Sequence, residues 1–415
     1  MNLTIKKIKR GIIYHSLSQS FIYFFKSLYG KLDDEKKIIE FEDSFASYCK
    51  SDYCLAFPLA RTAIHSILKS LNLPKGSEVI MSPISIKGIL DVILDLELVP
   101  KYVDLDLETI NFDHEELEKS ITKASKVAII TNLFGLVPNM ESIISILRKR
   151  NIFIIEDFSH GLNASFNGKN LGSFGDVGVY SSSSIKTLDT LGGGLVVTNK
   201  VDLHQKLISI KNNLFPVSRN FLIKKALINL TRNVATNTFI FSLFTFYFLQ
   251  ALRIYNPRLA LKQTGNRNKN RLSKLPKIWF NKYSSIQACI GLEHINKCKN
   301  NDKKRIHNVN KIKQNVSKNF FPKIIDQSFN VYWQLLVLVP NAEECQKYLS
   351  QKGIDSASTS LELLSSLEDY PNKVKLPNAI RIYNNGILIP CYPTLKEEEL
   401  EYICKCLQSF LNKIP

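Results

Sequence analysis

The sequence has no CxxC pair and no HxxH or HxxxH pair. Its eight cysteines, at 49, 54, 289, 298, 345, 391, 404 and 406, are scattered. They lack both the spacing of a zinc site and the density of a secreted disulfide scaffold, so they read as reduced thiols of a cytosolic protein. Cys404 and Cys406 are too close for a zinc pair and fall on a C-terminal helical pattern. The glycines at 172, 175 and 178 do not have dinucleotide-loop spacing. A cleavable signal peptide is not expected either. The apolar N-terminal residues are interrupted by Ser16, Ser18, Gln19 and Ser20 without a small-residue cleavage site, which places the active body in the cytoplasm.

Acidic residues are missing from two long stretches. Met1 to Lys31 holds six Lys or Arg and no acid, and Leu203 to Phe280 holds fourteen and no acid. Together they exceed the net charge of +18, so the remainder is close to neutral. Both stretches are rich in large apolar residues, including Phe21-Ile-Tyr-Phe-Phe25 and Thr238-Phe-Ile-Phe-Ser-Leu-Phe-Thr-Phe-Tyr-Phe-Leu249. That mixture argues against a nucleic-acid tail and suits an anionic membrane interface, where apolar burial and charge attraction add. Val234 to Leu252 carries no charge, though Asn237, Thr238, Ser242, Thr245 and Gln250 dilute it. Spanning, lying on a membrane, and packing as a helical insertion on the body or on a partner subunit all stay open.

What is present is a full α/β core: 415 residues, 45% hydrophobic. The pattern divides into a basic aromatic segment (1–31), a large domain (32–202), a basic hydrophobic helical insertion (203–280) and a smaller C-terminal α/β domain (281–415). From Cys54 to Asn199, short β-rich runs alternate with helical periods, as in a mostly parallel sheet with crossover helices. Strands are predicted at Glu78–Met81, Tyr102–Asp104, Lys126–Ile130, Ile152–Ile155, Val177–Tyr180 and Leu195–Thr198. Asp113 and Glu116 have capping-box spacing for the helix through Leu117 and Ile121. Helices are expected at Met140–Arg150, Ser284–Asn300 and Lys396–Leu411, and a strand at Gln334–Val339.

The strand over Ile152–Ile155 runs into Glu156-Asp157. Ligands of open α/β sheets sit beyond the carboxyl ends of strands, so an acid there points into a site. An imine-forming enzyme needs a lysine beside a groove, an acid to keep a ring nitrogen protonated, and donors for a phosphate. Asp157, His160, Ser181 and Lys186 supply these residue types within thirty positions. Singly each has a plain structural reading: a surface lysine, a capping acid, a core histidine, a polar turn. Combination and order give them weight.

The segment from Ile155 through Glu-Asp-Phe-Ser-His160 and Val177-Gly-Val-Tyr-Ser181 to Lys186, continuing to Gly192-Gly-Gly-Leu-Val-Val-Thr-Asn199, resembles the DegT/DnrJ/EryC1/StrS family of sugar aminotransferases. The resemblance runs from about Phe41 to Asn199 and resumes from about Lys282, with Ser285-Ile-Gln-Ala-Cys-Ile-Gly291 and Leu388-Ile-Pro-Cys-Tyr-Pro393 as further signatures. It implies a fold type I aminotransferase architecture. That is a large domain with a mostly parallel mixed sheet flanked by helices, plus a smaller C-terminal α/β domain.

The resemblance also implies pyridoxal 5'-phosphate (PLP), with Lys186 forming the imine and shuttling the proton, Asp157 on the pyridine nitrogen, His160 against the cofactor and Ser181 on its phosphate. Arg61 and Thr62, in the turn Ala60-Arg-Thr-Ala63 before a helix over Ile64–Leu71, would complete the phosphate site. Ile86 falls where the family has a stacking aromatic, and Gly192 where it has Glu. Phe280-Asn-Lys282 stands for Asn-Tyr-Arg, and Lys282 cannot reproduce an arginine fork toward substrate. A dehydrating branch has His at the lysine position, and Lys186 argues against it. The implied reaction moves an amino group from an amino acid, commonly glutamate, to a nucleotide-linked keto-sugar for polysaccharide or glycan synthesis. It would take place in a homodimer, with association at the inner face of an anionic membrane suggested by the basic segments. A PLP enzyme acting on another small substrate, and a degenerate family member serving as a membrane-bound scaffold, are the alternatives.

Overall fold

The computed structural model describes residues 6–255, 271–359, 361–367 and 374–414. Residues 1–5 and 256–270 of the two basic segments, and Pro415, therefore lie outside the described residues.

Seven strands form the central sheet: β1 (Tyr53–Phe57), β2 (Glu78–Met81), β3 (Val99–Tyr102), β4 (Ser125–Thr131), β5 (Phe153–Asp157), β6 (Val177–Ser181) and β7 (Gly194–Thr198). Their order is β1-β7-β6-β5-β4-β2-β3. β7 pairs antiparallel with both β1 and β6, and the other neighbours are parallel, so the sheet is the expected mostly parallel one. Five strands lie within the predicted spans or within two residues of them. β3 starts earlier than expected, at Val99, and takes in Pro100. It is an edge strand, where the missing proline N–H costs no ladder bond.

Helices cover the sheet because their apolar positions share a face. α1 (Leu17–Tyr29) and α2 (Glu35–Cys49) precede β1, and α2 buries Ile38, Phe41, Phe45 and Cys49 at helical spacing. α3 (Ala60–Ser70), α4 (Lys87–Asp95), α5 (His114–Ser120), α6 (Met140–Arg148) and α7 (Val201–Asn212) follow in turn. Asp113 accepts from Glu116 N–H and starts α5 as predicted. Leu203 and Leu207 of α7 sit in the main core, so the first part of the basic segment belongs to the body.

Next come α8 (Arg219–Ala235), a short turn Thr238–Ile240, a π-helical turn Phe241–Thr245 and α9 (Phe246–Tyr255). The uncharged run 234–252 is thus not one helix. The Asn237 side chain accepts from Phe239 N–H, and the Thr236 hydroxyl donates back to Arg232 O. These local bonds end α8 and start the next turn at an angle of 65°. No single helix among the described residues is long and apolar enough to cross a membrane, and this bent pair alone meets the length and composition test.

The C-terminal part of the chain contains α10 (Ser285–His294), α11 (Cys298–Asn315), the paired strands β8 (Leu335–Leu338) and β9 (Gly386–Ile389), α12 (Ala342–Gln351), α13 (Pro377–Asn385) and α14 (Glu397–Leu411). The helix expected over Ser284–Asn300 is divided by a 3-10 turn at Ile295–Lys297, where the His294 ring is drawn against His15 and Tyr23.

The described parts of both basic segments fold onto the body. Ile8 pairs with Ile354, Lys9 donates to Thr236 O, and Arg10 and Arg253 share the buried carboxylate of Asp355. Arg219 donates to the carbonyls of Ser27, Leu28 and Gly30 at the end of α1. Several of the positive charges are therefore spent inside the molecule.

Candidate active site

Register brings the predicted residues to one edge. Ser181, at the end of β6, pairs with Gly194, which pairs with Phe57 at the end of β1. Asp157 ends β5, opposite Val179 of β6. Because β7 alone runs the other way, its first residue lies at the edge where β1, β5 and β6 finish. α3 begins there too. A Cβ on Gly194 would lie 2.5 Å from Ala60, so glycine lets the helix start approach the sheet.

The residues 60–63, expected as a turn, are the first turn of α3 itself. Leu59 gives the helix no side-chain cap, and the first amide bond runs from Ala63 N–H to Leu59 O. The amides before it are the orphan donors of a helix start, suited to an anion. The side chains of Arg61 and Thr62 are directed otherwise. Thr62 donates its hydroxyl to Trp279 O at 2.6 Å, and the Arg61 guanidinium stacks 4.5 Å from the Trp279 ring centre.

The adjacent acids of β5 have different work because strand side chains alternate faces. Glu156 accepts the N–H groups of Gly172 and Gly175, pinning the glycine turn, and burial raises its pKa to about 7. Asp157 accepts from Ser159 N–H at 3.1 Å. The Ser159 hydroxyl also bonds to Asp157 and receives Ser181 N–H, so it links the two strand ends. Burial raises the Asp157 pKa, opposed by Ser159 and by the charge of Lys186. The Asn132 amide donates to Asp157 O and accepts from Gly161 N–H, fixing the turn that presents His160.

His160 is buried, and its Nδ1 accepts from Phe134 N–H at 3.1 Å. Its proton is therefore on Nε2. Burial, and then the Lys186 charge, hold its pKa well below the usual range, so the ring is neutral.

Lys186 follows a tight turn closed by its N–H on Ser183 O. The side chain is 8% exposed, and burial lowers its pKa to about 7 against the raising effect of Asp157. Among the described residues its amine has no hydrogen bond or ion pair. It rests 3.6 Å from the centre of the Trp333 ring.

Trp333 escaped the sequence analysis. Its indole stacks on His160, with centroids 4.1 Å apart and 17° between planes, and its Nε1–H donates to Ile185 O. Three non-glycine residues in left-handed backbone surround this cluster: Phe134 (φ 57°), Ile185 (φ 76°) and Tyr332 (φ 47°). For β-branched Ile185 this is a genuine outlier, and such strain gathers at functional sites.

Gln287, in the signature beginning at Ser285, donates to Gly192 O at 2.8 Å, tying α10 to the glycine turn. Gly192 and Gly193 have φ of 114° and 144°, which explains glycine there. Ile86 caps α4 and packs, partly buried, against the core. Lys282 pairs through its N–H with Phe215 O, and no hydrogen bond links its side chain to the Lys186 loop among the described residues.

An α/β sheet with a buried, depressed lysine and an acid at one edge holds the residue types that an imine-forming enzyme needs, and comparison with known proteins gives the class. The chain belongs to the DegT/DnrJ/EryC1/StrS aminotransferase family, whose model matches residues 28–226 and 259–408, and it is thereby a PLP-dependent transaminase. It is 25% identical over 382 residues to the GDP-perosamine synthase of Escherichia coli O157:H7, covering 90% of each chain. It is 30% identical over 178 residues to the GDP-4-keto-6-deoxy-D-mannose 3-dehydratase of Escherichia coli O55:H7, covering 41% of this chain and 46% of the relative. The fold matches the aminotransferase from Psychrobacter cryohalolentis with a TM-score of 0.74 at 19% identity, over 96% of this chain and 97% of the other. The residue types at the site suit the cofactor: an amine without a hydrogen bond or ion pair among the described residues, a buried acid near it, and a helix start without a side-chain cap beside Ser181.

Proposed function

We propose that this transaminase moves an amino group from an amino acid, glutamate first among the candidates, to the keto carbon of a nucleotide-linked sugar in glycan synthesis. The observation that carries the reading is Lys186: a buried amine whose pKa burial lowers to about 7, without a hydrogen bond among the described residues, at the sheet edge that also holds Asp157. A scaffold would have no need of so costly an amine. The similarity to nucleotide-sugar enzymes supports the substrate class.

Bound PLP would supply an aldehyde for amines and a ring that draws electrons from the reacting carbon. Lys186 is the amine that holds it and later moves the proton of the substrate carbon. Asp157 would keep the pyridine nitrogen protonated, and neutral His160 would offer its Nε2–H to the bound group. Ser181 and the amides of Arg61 and Thr62 would hold the phosphate. Ile86 would supply an aliphatic contact in place of an aromatic one. Lys282 serves substrate in a homodimer whose sites are completed across the interface.

The enzyme works in the cytoplasm, with peripheral attachment to the inner, anionic membrane surface. Exposed Phe21, Phe25, Phe239, Phe244, Tyr247 and Phe248 on the two basic segments support that attachment.

The test is a spectral screen of the purified, cofactor-loaded chain. Glutamate is expected to bleach the absorbance band of the lysine-bound cofactor, and a GDP- or dTDP-linked keto-deoxysugar to restore it. A band that responds to amino acids but to no keto-sugar nucleotide refutes the substrate class, and a band that no amino acid moves refutes transamination.

A further inference from the structure

The family match leaves out residues 1–27, 227–258 and 409–415, and His15 of the first stretch and Asn229 of the second reach the loop that follows Lys186. Asn229 of α8 is fully buried, donates Nδ2 to Asp189 Oδ2 at 2.9 Å and accepts from Ser20 at 3.0 Å. His15, also buried, has Nε2 at 2.8 Å from Asp189 O and Nδ1 at 3.4 Å from Asn229 Oδ1. Asp189 in turn accepts Leu191 N–H. Leu191 packs with Tyr23, Leu222, Ala226, Ile286 and Ile290 in a second small core built largely by α1, α8 and α10. On the near side of the loop, Tyr14 receives Arg305, which also donates to Thr187, the residue after the lysine.

The loop needs holding at both ends. Ile185 and Leu191 both have left-handed backbone, at φ 76° and 61°, and such conformations persist only where the surroundings over-determine them. A buried polar network is an expensive way to join two helices to a body, since apolar packing would serve stability as well. What it adds is a fixed geometry, because each donor must keep its acceptor.

We propose that the two segments outside the family match act as a clamp on the loop carrying Lys186, with His15 and Asn229 as positioning residues for that lysine. The inference rests on the reading of Lys186 as the cofactor-holding amine. The clamp acts through Asp189 and Leu191 and touches no reacting atom.

The test compares Asn229→Leu with Arg219→Ala in the full chain. Arg219 lies on the same helix, and its side-chain hydrogen bonds among the described residues go to the end of α1. Hydrogen–deuterium exchange of amides 187–191 is read in the cofactor-free protein, and the pH midpoint of the cofactor band in the loaded one. Asn229→Leu is expected to speed exchange about ten-fold or more and to shift the midpoint by about half a pH unit or more, while Arg219→Ala moves neither. Wild-type values in Asn229→Leu overturn the clamp, and so do equal shifts in both variants, which would reduce it to helix packing. If Asn229→Leu does not fold, His15→Phe, which keeps a ring against Tyr23 but loses the bond to Asp189, is read in the same way. Lys186→Ala checks the underlying reading separately: a cofactor band that survives it removes that reading, while exchange still decides the clamp.

Discussion

The amine of Lys186 stands 3.6 Å from the centre of the Trp333 indole, whose ring is also stacked on His160. One aromatic side chain from the C-terminal part of the chain thus touches the lysine amine and the neutral histidine together, and its N–H ties it to the residue before the lysine. The contact is a cation–π pair when the amine is charged, worth about 0.5–2 kcal/mol.

Replacing Trp333 with Ala admits water to the amine, and burial is the largest cause of its low pKa. The amine of the cofactor-free protein is expected to titrate well above pH 7, because relief of desolvation outweighs the lost ring contact. The pH dependence of Lys186 labelling by an amine-reactive reagent measures this. A midpoint unchanged from wild type would mean that the indole does not shield the amine.

Lys186 also makes a definite prediction about stability. Its folded pKa of about 7 lies below the ordinary 10.5, so between those values the unfolded chain binds more protons than the folded one. Stability of the cofactor-free protein should therefore rise with pH across this window through this group. Lys186→Met should flatten that slope, read as the denaturant midpoint at pH 7 and pH 9, and should abolish transamination.

The paired acids of β5 should separate cleanly. Asp157→Asn is expected to lower kcat by about a hundred-fold or more with little change in melting temperature, since it alters the group facing the site. Glu156→Ala leaves buried amides of the glycine turn without an acceptor and should cost about 1–3 kcal/mol or more of stability. Thermal melts and steady-state kinetics on both variants check the assignment, and it fails if Glu156→Ala melts like wild type.

Attachment to membranes is best probed on the outer face of the insertion, because α8 is built into the body and its deletion would disturb the lysine loop. The wild-type chain is expected to float with anionic liposomes and less with zwitterionic ones, and Phe244→Ser combined with Phe248→Ser to float several-fold less. Equal flotation of both proteins would remove this face from the attachment.

The sequence by itself determined the alternation of strands and helices from Glu78 to Thr198, the strand-end placement of Asp157 and Ser181, and the lysine that follows them. These depend on local patterns: alternation, apolar period, caps and glycine turns. Only tertiary structure decided that Trp333, 148 positions from Ile185, covers the amine, that Glu156 is structural, and that Thr62 and Arg61 turn their side chains toward Trp279. It also decided that the described parts of the basic segments are seated on the molecule, with a helix break where one continuous uncharged run is written. Those outcomes depend on which distant surfaces bury one another, and burial of that kind leaves no periodic mark along the chain.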